Sequence, residues 1–467
     1  MYNALLTCAW QRFVTGLAVH GKSLGSAGTT LGLAGTTLAL ATCTLVPTVG
    51  WAQSAEQPLP PLTQDRGVRT GEFTLYPSIG LMGHYDSNLF NGNVEEKGNE
   101  PIGARSLRIM PKLSLSNDPN SNVSLGFTGV GDARIYFGGE NAAIAAQQNV
   151  GGNVGLDITG GQRRTFSFTF FDNFNRSLRA NNWETTQTFN RIANDVGARI
   201  EFHPGDIPER RPFNVAFTAA YAFDKFDEFE SGNNSTVRTR LVGSWKFLPK
   251  TAAIIDASWD FRNYDNNDLA TRNLAFSSKP FRGKFGLSGM LTKRISAQAL
   301  AGWGLSAHEQ GSTFNNYLAS IGVGVRASES TRLFAGYDHD FVDSFLSNFA
   351  DVHRFSGSLR QRFGQILDVT ASFSTKIMTY GAFSGIQGNA DIGGLTICSS
   401  GKCRRDIALD GSLVANFEVA RLIGMNVGYT LRSLQTNFKV LSKKDSAILD
   451  VGAFTGHEIF ANLVLRY

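Results

Sequence analysis

The chain has 467 residues, with 44 Lys+Arg against 39 Asp+Glu and a formal net charge of +5. Charged residues make up 18%, below the roughly 25% of soluble domains, while Gly (50) and Phe (35) are abundant. So aromatic and weakly charged a chain is no disordered polymer, and so glycine-rich a one is no coiled coil. The small positive balance is spread along the sequence rather than gathered in a basic tail, which excludes the usual nucleic-acid footprint.

Residues 1–52 read as a secretory signal peptide. Arg12 and Lys22 precede an uncharged stretch that runs to Glu56. It contains the moderately apolar Leu31–Thr42 and ends at Gly50-Trp51-Ala52, with small residues at −3 and −1 of a cut after Ala52. A permanent membrane helix fits less well, because Gly and Thr dilute the apolar run. Leu40-Ala41-Thr42-Cys43 departs from an acylation box at Thr42. The length of the leader leaves the true translation start open. Residues 53–72, polar and carrying Pro58, Pro60 and Pro61, read as a periplasmic tether.

From residue 73 to 467 the apolar pattern has period two. Arg164-Thr165-Phe166-Ser167-Phe168-Thr169-Phe170 alternates large apolar with small polar residues, so one face of a strand is greasy and the other polar. The pattern recurs at 213–219, 354–363 and 425–432. It yields about eighteen segments, most of about 10–16 residues, against 5–6 in soluble sheets. A tilted strand needs about 9–11 residues to cross a bilayer. Short, turn-rich breaks such as 117–121, 159–162, 248–251, 328–331 and 363–365 alternate with longer polar ones such as 91–104, 179–188, 265–280 and 381–404. The expected fold is therefore all-β: one antiparallel up-and-down barrel in the outer membrane, with short periplasmic turns and long extracellular loops. The count falls to sixteen if 145–160 or 297–308 is not a full strand.

The last segment places Ile459, Ala461, Leu463, Leu465 and the terminal Tyr467 on one face. Leu463, Leu465 and Tyr467 resemble the C-terminal assembly signal of bacterial outer-membrane proteins, which implies the barrel-assembly machinery as a partner and outer-membrane lipid as surroundings.

Alternation assigns the lipid face to residues such as Phe166, Phe168, Phe217, Trp245, Trp259, Phe285, Trp303, Phe355 and Phe373. The opposite face collects charge. Its basic members are Arg108, Lys112, Arg199, Arg238, Arg240, Lys246, Arg282, Lys284, Arg354, Arg360 and Arg362; its acidic members are Asp256, Asp260, Asp338, Asp340, Asp368, Asp406, Asp410 and Glu418. Two arrangements follow. Either these charges neutralise one another inside a plugged barrel, or a basic wall (235–285 and 352–364) faces an acidic one and favours anions.

Cys398 and Cys403, the two cysteines after the leader, lie in a long loop and are expected to form a disulfide in an oxidising compartment. No metal site and no cofactor is expected, since no histidine pair has metal-ligand spacing. Asp338-His339-Asp340 cannot converge from one strand, because alternation turns His339 away from both aspartates. No nucleophile motif appears, so an enzyme is not expected.

The first strand leaves through Tyr85-Asp86-Ser87-Asn88-Leu89-Phe90. This Tyr-Asp-x-Asn-Leu-Phe exit resembles the beta-barrel porin 2 proteins, which accompany exopolysaccharide synthesis genes. The resemblance implies a passive conduit for polysaccharide secretion, working with periplasmic export components. The inward Tyr76, Tyr136 and Phe171 would then be sugar-stacking surfaces. Two alternatives stand beside it: a general or anion-preferring diffusion porin for small solutes, and a structural barrel whose loops bind a partner.

Overall fold

The computed structural model describes residues 67–92, 100–118, 121–137, 144, 149–180, 189–205, 212–227, 232–265, 276–309, 311–344, 347–381, 402–437 and 453–467. Short pieces at 391–392, 395–396, 398–399, 440–441 and 448–449 complete them. The leader and residues 53–66 of the tether lie outside the described residues.

Eighteen long strands follow one another: β1 (Phe73–Asp86), β2 (Ala104–Asn117), β3 (Val123–Phe137), β4 (Asn149–Gly160), β5 (Phe166–Ala180), β6 (Phe189–Phe202), β7 (Phe213–Phe226), β8 (Asn234–Leu248) and β9 (Thr251–Tyr264). The second half consists of β10 (Ser278–Met290), β11 (Ile295–His308), β12 (Phe314–Arg326), β13 (Thr331–Asp343), β14 (Phe349–Phe363), β15 (Leu367–Tyr380), β16 (Arg405–Ala420), β17 (Ile423–Thr436) and β18 (Phe454–Arg466). Each pairs antiparallel with its chain neighbours, and β1 pairs with β18 from Ser78↔Arg466 to Asp86↔Glu458. The sheet thus closes on itself, the condition a bilayer imposes on backbone N–H and C=O groups. Strand lengths of 12 to 16 residues exceed the crossing requirement. Both doubtful segments are full strands, β4 and β11, so the number is eighteen rather than sixteen.

The last residues of the tether segment do not simply trail away. Val68–Thr70 folds back antiparallel on β1, with Val68 opposite Leu75 and Thr70 opposite Phe73.

The connections 118–122, 161–165, 249–250, 291–294, 327–330, 364–366 and 421–422 lie at one end with the longer 203–212, while two five-residue connections, 309–313 and 344–348, lie at the other. Two of the first group are shaped by glycine in the left-handed region that other residues rarely adopt: Gly161, φ 75°, before β5, and Gly364, φ 61°, before β15. Longer connections fill the rest of the second end. This is the arrangement of an outer-membrane barrel, turns in the periplasm and loops outside.

Alternation sorts the side chains as the pattern requires. Phe166 (60%), Trp245 (56%), Phe285 (61%), Trp303 (54%) and Phe373 (57%) stand exposed on the outer wall, with Leu463 and Leu465. Large apolar residues exposed all round a closed sheet are stable only against hydrocarbon. The protein is a multi-pass β-barrel of the outer membrane. Among the described residues no helix is long and apolar enough to cross a membrane, so strands alone make the crossing.

Candidate functional site

The inner wall is the candidate site. Parity on each strand turns all nineteen charged residues named from the sequence toward the lumen, out of phase with the exposed apolar residues of the same strands. There they meet one another. On β8 and β9, the guanidinium of Arg240 grips Asp256 at both oxygens, Nε to Oδ1 at 2.7 Å and Nη2 to Oδ2 at 3.0 Å. Arg238 reaches Asp195 on β6 at 3.4 Å, while Asp260 lies directly opposite Arg238 in the ladder. Asp340 on β13 receives Arg282 at 2.9 Å and Lys284 at 2.7 Å, both from β10. Asp368 on β15 receives Arg360 at 2.8 Å and Arg362 at 3.2 Å, both from β14.

The remaining assignments follow the same rule. Arg108 pairs with Asp132 at 2.7 Å, and Arg199 with Glu201 on its own strand. Asp406 is gripped by Arg404, Asp410 by Lys376, and Glu418 by Arg466. Asp338 accepts a hydrogen bond from Ser320 at 2.7 Å and stands opposite Arg354 in the ladder. Lys112, Lys246 and Arg354 also engage polar or electrostatic partners.

The expectation of a basic wall facing an acidic one therefore gives way to local pairing. Carboxylates on β9, β13 and β15 are interleaved between the basic residues of β8, β10 and β14. The physical reason is proximity. Opposite charges on the same or nearby strands sit within reach of one another, from neighbouring strands for Arg240 and Asp256 to β10 and β13 for Lys284 and Asp340, whereas opposite walls of an eighteen-stranded barrel do not. Several partners escaped the sequence reading: Asp132, Arg134, Asp195, Arg262, Asp343, Lys376, Arg404, Arg432, Glu458 and Arg466. The same period-two rule applied to every charge would have found most of them; Asp343 is an exception, since it shares parity with the outward Leu333 yet pairs with the inward Arg262.

Toward the loop end the inner wall changes character. Leu89, Ala104, Tyr136 and Ile144 form one buried apolar cluster there; Phe314, Leu318 and Phe341 form another. Ala350, Val352, Met378, Tyr380, Ala408, Leu434 and Phe454 make a third. The exit motif of β1 builds the first. Asn88 exchanges hydrogen bonds with Gly92 through its side chain (2.8 and 2.7 Å) and also donates to the Thr455 carbonyl. Its own N–H donates to Asp86, whose other oxygen meets Arg432. Leu89 is thereby folded inward and fully buried.

Of the inward aromatics considered as sugar platforms, Tyr136 and Phe171 are packed and Tyr76 is half-buried. Tyr136 lies in the first cluster, and Phe171 is 3% exposed, its ring against Gly197. Cys403 is disulfide-bonded, and the backbone ladder sets Cys398 opposite it. The side chain of Cys398 lies outside the described residues. As alternation requires, Asp338 and Asp340 turn inward while His339 sits on the outer wall.

No family model and no curated protein matches this sequence. Solved structures resemble it. OpdK, an outer-membrane protein of Pseudomonas aeruginosa, is 9% identical over 84% of this chain and 99% of its own, with a TM-score of 0.46. OccK3 (OpdO) of the same organism is 11% identical, over 84% and 96%, also at 0.46. OccAB3 of Acinetobacter baumannii is 10% identical, over 84% and 99%, again at 0.46. Likeness at this level carries no argument about function.

Proposed function

We propose that the protein is a passive diffusion channel for small polar solutes across the outer membrane. The observation that carries this reading is the inner wall. Paired Arg/Lys and carboxylate groups line it together with Ser, Thr and Asn, a surface that only water or polar solute satisfies. Eighteen strands enclose a lumen too wide for these side chains to fill. Because nearly every basic group has a carboxylate beside it, the wall discriminates weakly by charge. Anion preference is correspondingly small.

Polysaccharide secretion rests on the β1 exit motif alone. In the structure those residues fasten a loop, and two of the three inward aromatics that would stack on sugar rings, Tyr136 and Phe171, are packed. The small-solute reading is therefore the stronger. Liposomes reconstituted with purified barrel test it. Swelling in arabinose and in a small carboxylate at similar rates supports a diffusion channel. No swelling in either, together with loss of polymer release in a deletion strain, would transfer the assignment to secretion.

A further inference from the structure

The wall of the barrel is not uniformly closed. The ladder between β12 and β13 stops at Ala319↔His339, although both strands run on toward the loops. Beyond it β12 stays paired with β11 up to Phe314, and β13 with β14 up to Asp343. At this seam the N–H groups of Tyr317 and Phe341 donate to the side chains of the preceding residues, Asn316 and Asp340, each at 2.8 Å.

Polar side chains gather on the outward wall beside the opening. His339 Nε2 lies 2.6 Å from Asp351 Oδ1. The imidazoles of His339 and His353 stack at 4.2 Å, and the Tyr317 ring lies 4.3 Å from His339. His339 is fully buried, yet its Nδ1 has no hydrogen-bond partner. One ligand atom from each of His339, Asp351 and His353 lies within 4.8 Å of the others.

We propose that His339, His353 and Asp351 form a binding site for one first-row transition-metal ion of the zinc type, set at the seam. Two imidazoles and one carboxylate suit Zn2+, and they poorly suit Ca2+ or Mg2+, which take oxygen ligands. The groups behind the ligands fit as well. Tyr337 Oη holds His353 Nδ1 at 2.9 Å, which leaves Nε2 as the ligand, and Asn316 Nδ2 donates to Asp351 Oδ2 at 3.3 Å, which leaves Oδ1. Such outer partners orient metal ligands and fix the imidazole tautomer.

Tetrahedral zinc, with Zn–N near 2.0–2.1 Å, sets its donors about 3.3 Å apart. The longest edge, up to 4.8 Å, contracts by up to about 1.5 Å to reach that spacing, and the 2.6 Å edge between His339 and Asp351 widens by about 0.7 Å. A turn of His353, the less buried ring, out of the stack supplies the contraction. The ion takes the place of the hydrogen between His339 Nε2 and Asp351 Oδ1, and the neutral imidazole then carries its hydrogen on Nδ1. Asn316 belongs to β12, whereas His339, Asp351 and His353 belong to β13 and β14. An ion here therefore joins the two sides of the opening through the Asn316–Asp351 contact.

The test is calorimetric titration of the detergent-solubilised full-length barrel, stripped with EDTA and dialysed, with ZnCl2 alone. The expected result is one ion per chain at micromolar affinity or tighter. His353→Gln and Asp351→Asn should each lower the affinity at least 10-fold, and Tyr337→Phe by about 10–100-fold. His457→Gln, on a distant outward histidine paired with Tyr429, should change it less than two-fold. Far-UV circular dichroism checks that each variant is folded; Tyr337→Phe, which keeps all three ligands, serves if another variant does not fold. No stoichiometric binding up to millimolar zinc would overturn the proposal. So would binding that the ligand variants and Tyr337→Phe leave within two-fold, which would mark an adventitious lumenal carboxylate site. The measurement involves no transport and is independent of the channel reading.

Discussion

The middle of the lumen and its mouth are built from the same strands by opposite means. Away from the loops the inward residues are charged and matched across neighbouring strands, as Arg240 with Asp256 near mid-strand and Arg360 with Asp368 by the turn at 364–366. At the loop end they become Met378, Leu434, Phe454 and Phe314, all buried. An apolar side chain facing open water gains nothing from the barrel. These are buried because they pack on one another across neighbouring strands, Met378, Leu434 and Phe454 in one cluster and Phe314 in another, while Leu89 closes a third against Ala104 and Tyr136. The wall is polar where it is open and apolar where it is covered, so the change of side-chain chemistry along a strand marks where the channel narrows.

Asp368→Asn is expected to have the largest effect. It removes the carboxylate charge that Arg360 and Arg362 share. Breaking a buried ion pair by removing one partner costs about 3–5 kcal/mol. Denaturant titration in detergent reads the loss, and a bilayer recording should show a shift toward anions. Unchanged stability and selectivity would mean that the paired charges of the inner wall carry little. At the mouth, Leu89→Ala should cost about 2–5 kcal/mol through the cavity it leaves, and should raise single-channel conductance by loosening the covering loop. A conductance equal to the parent would place the constriction elsewhere.

The outer wall supplies a control. Phe285, near the middle of β10 and 61% exposed to lipid, tolerates arginine poorly. Phe285→Arg should cost about 2–4 kcal/mol in bilayer refolding while leaving ion selectivity untouched. The smallest effect belongs to Arg163→Ala in the exposed turn before β5, expected within about 0.5 kcal/mol by the same denaturant titration.

Much of this was legible in the sequence because a strand's side-chain period is fixed by backbone geometry. Phe166, Phe168 and Phe170 announce their face without knowledge of their neighbours. Charge pairing was not legible, because it depends on register. Asp256 meets Arg240 only because the turn at 248–251 brings β9 back along β8 at that offset. The Tyr-Asp-x-Asn-Leu-Phe exit was visible as a motif, but its work as a loop fastener needs the partners Thr455 and Arg432 from the far end of the chain. The His339 cluster was hidden for a related reason. His339 finds Asp351 and His353 on the next strand, twelve and fourteen residues on, at a spacing that matches no familiar metal motif.

The most direct test of the central claim, a water-filled lumen whose charges are matched in place, is the reversal potential of single channels in a planar bilayer under a KCl gradient. The account predicts an ohmic open conductance with weak ion selectivity, shifting toward anions in Asp368→Asn. A barrel that conducts no ions, or a parent channel already strongly selective for anions, would contradict it.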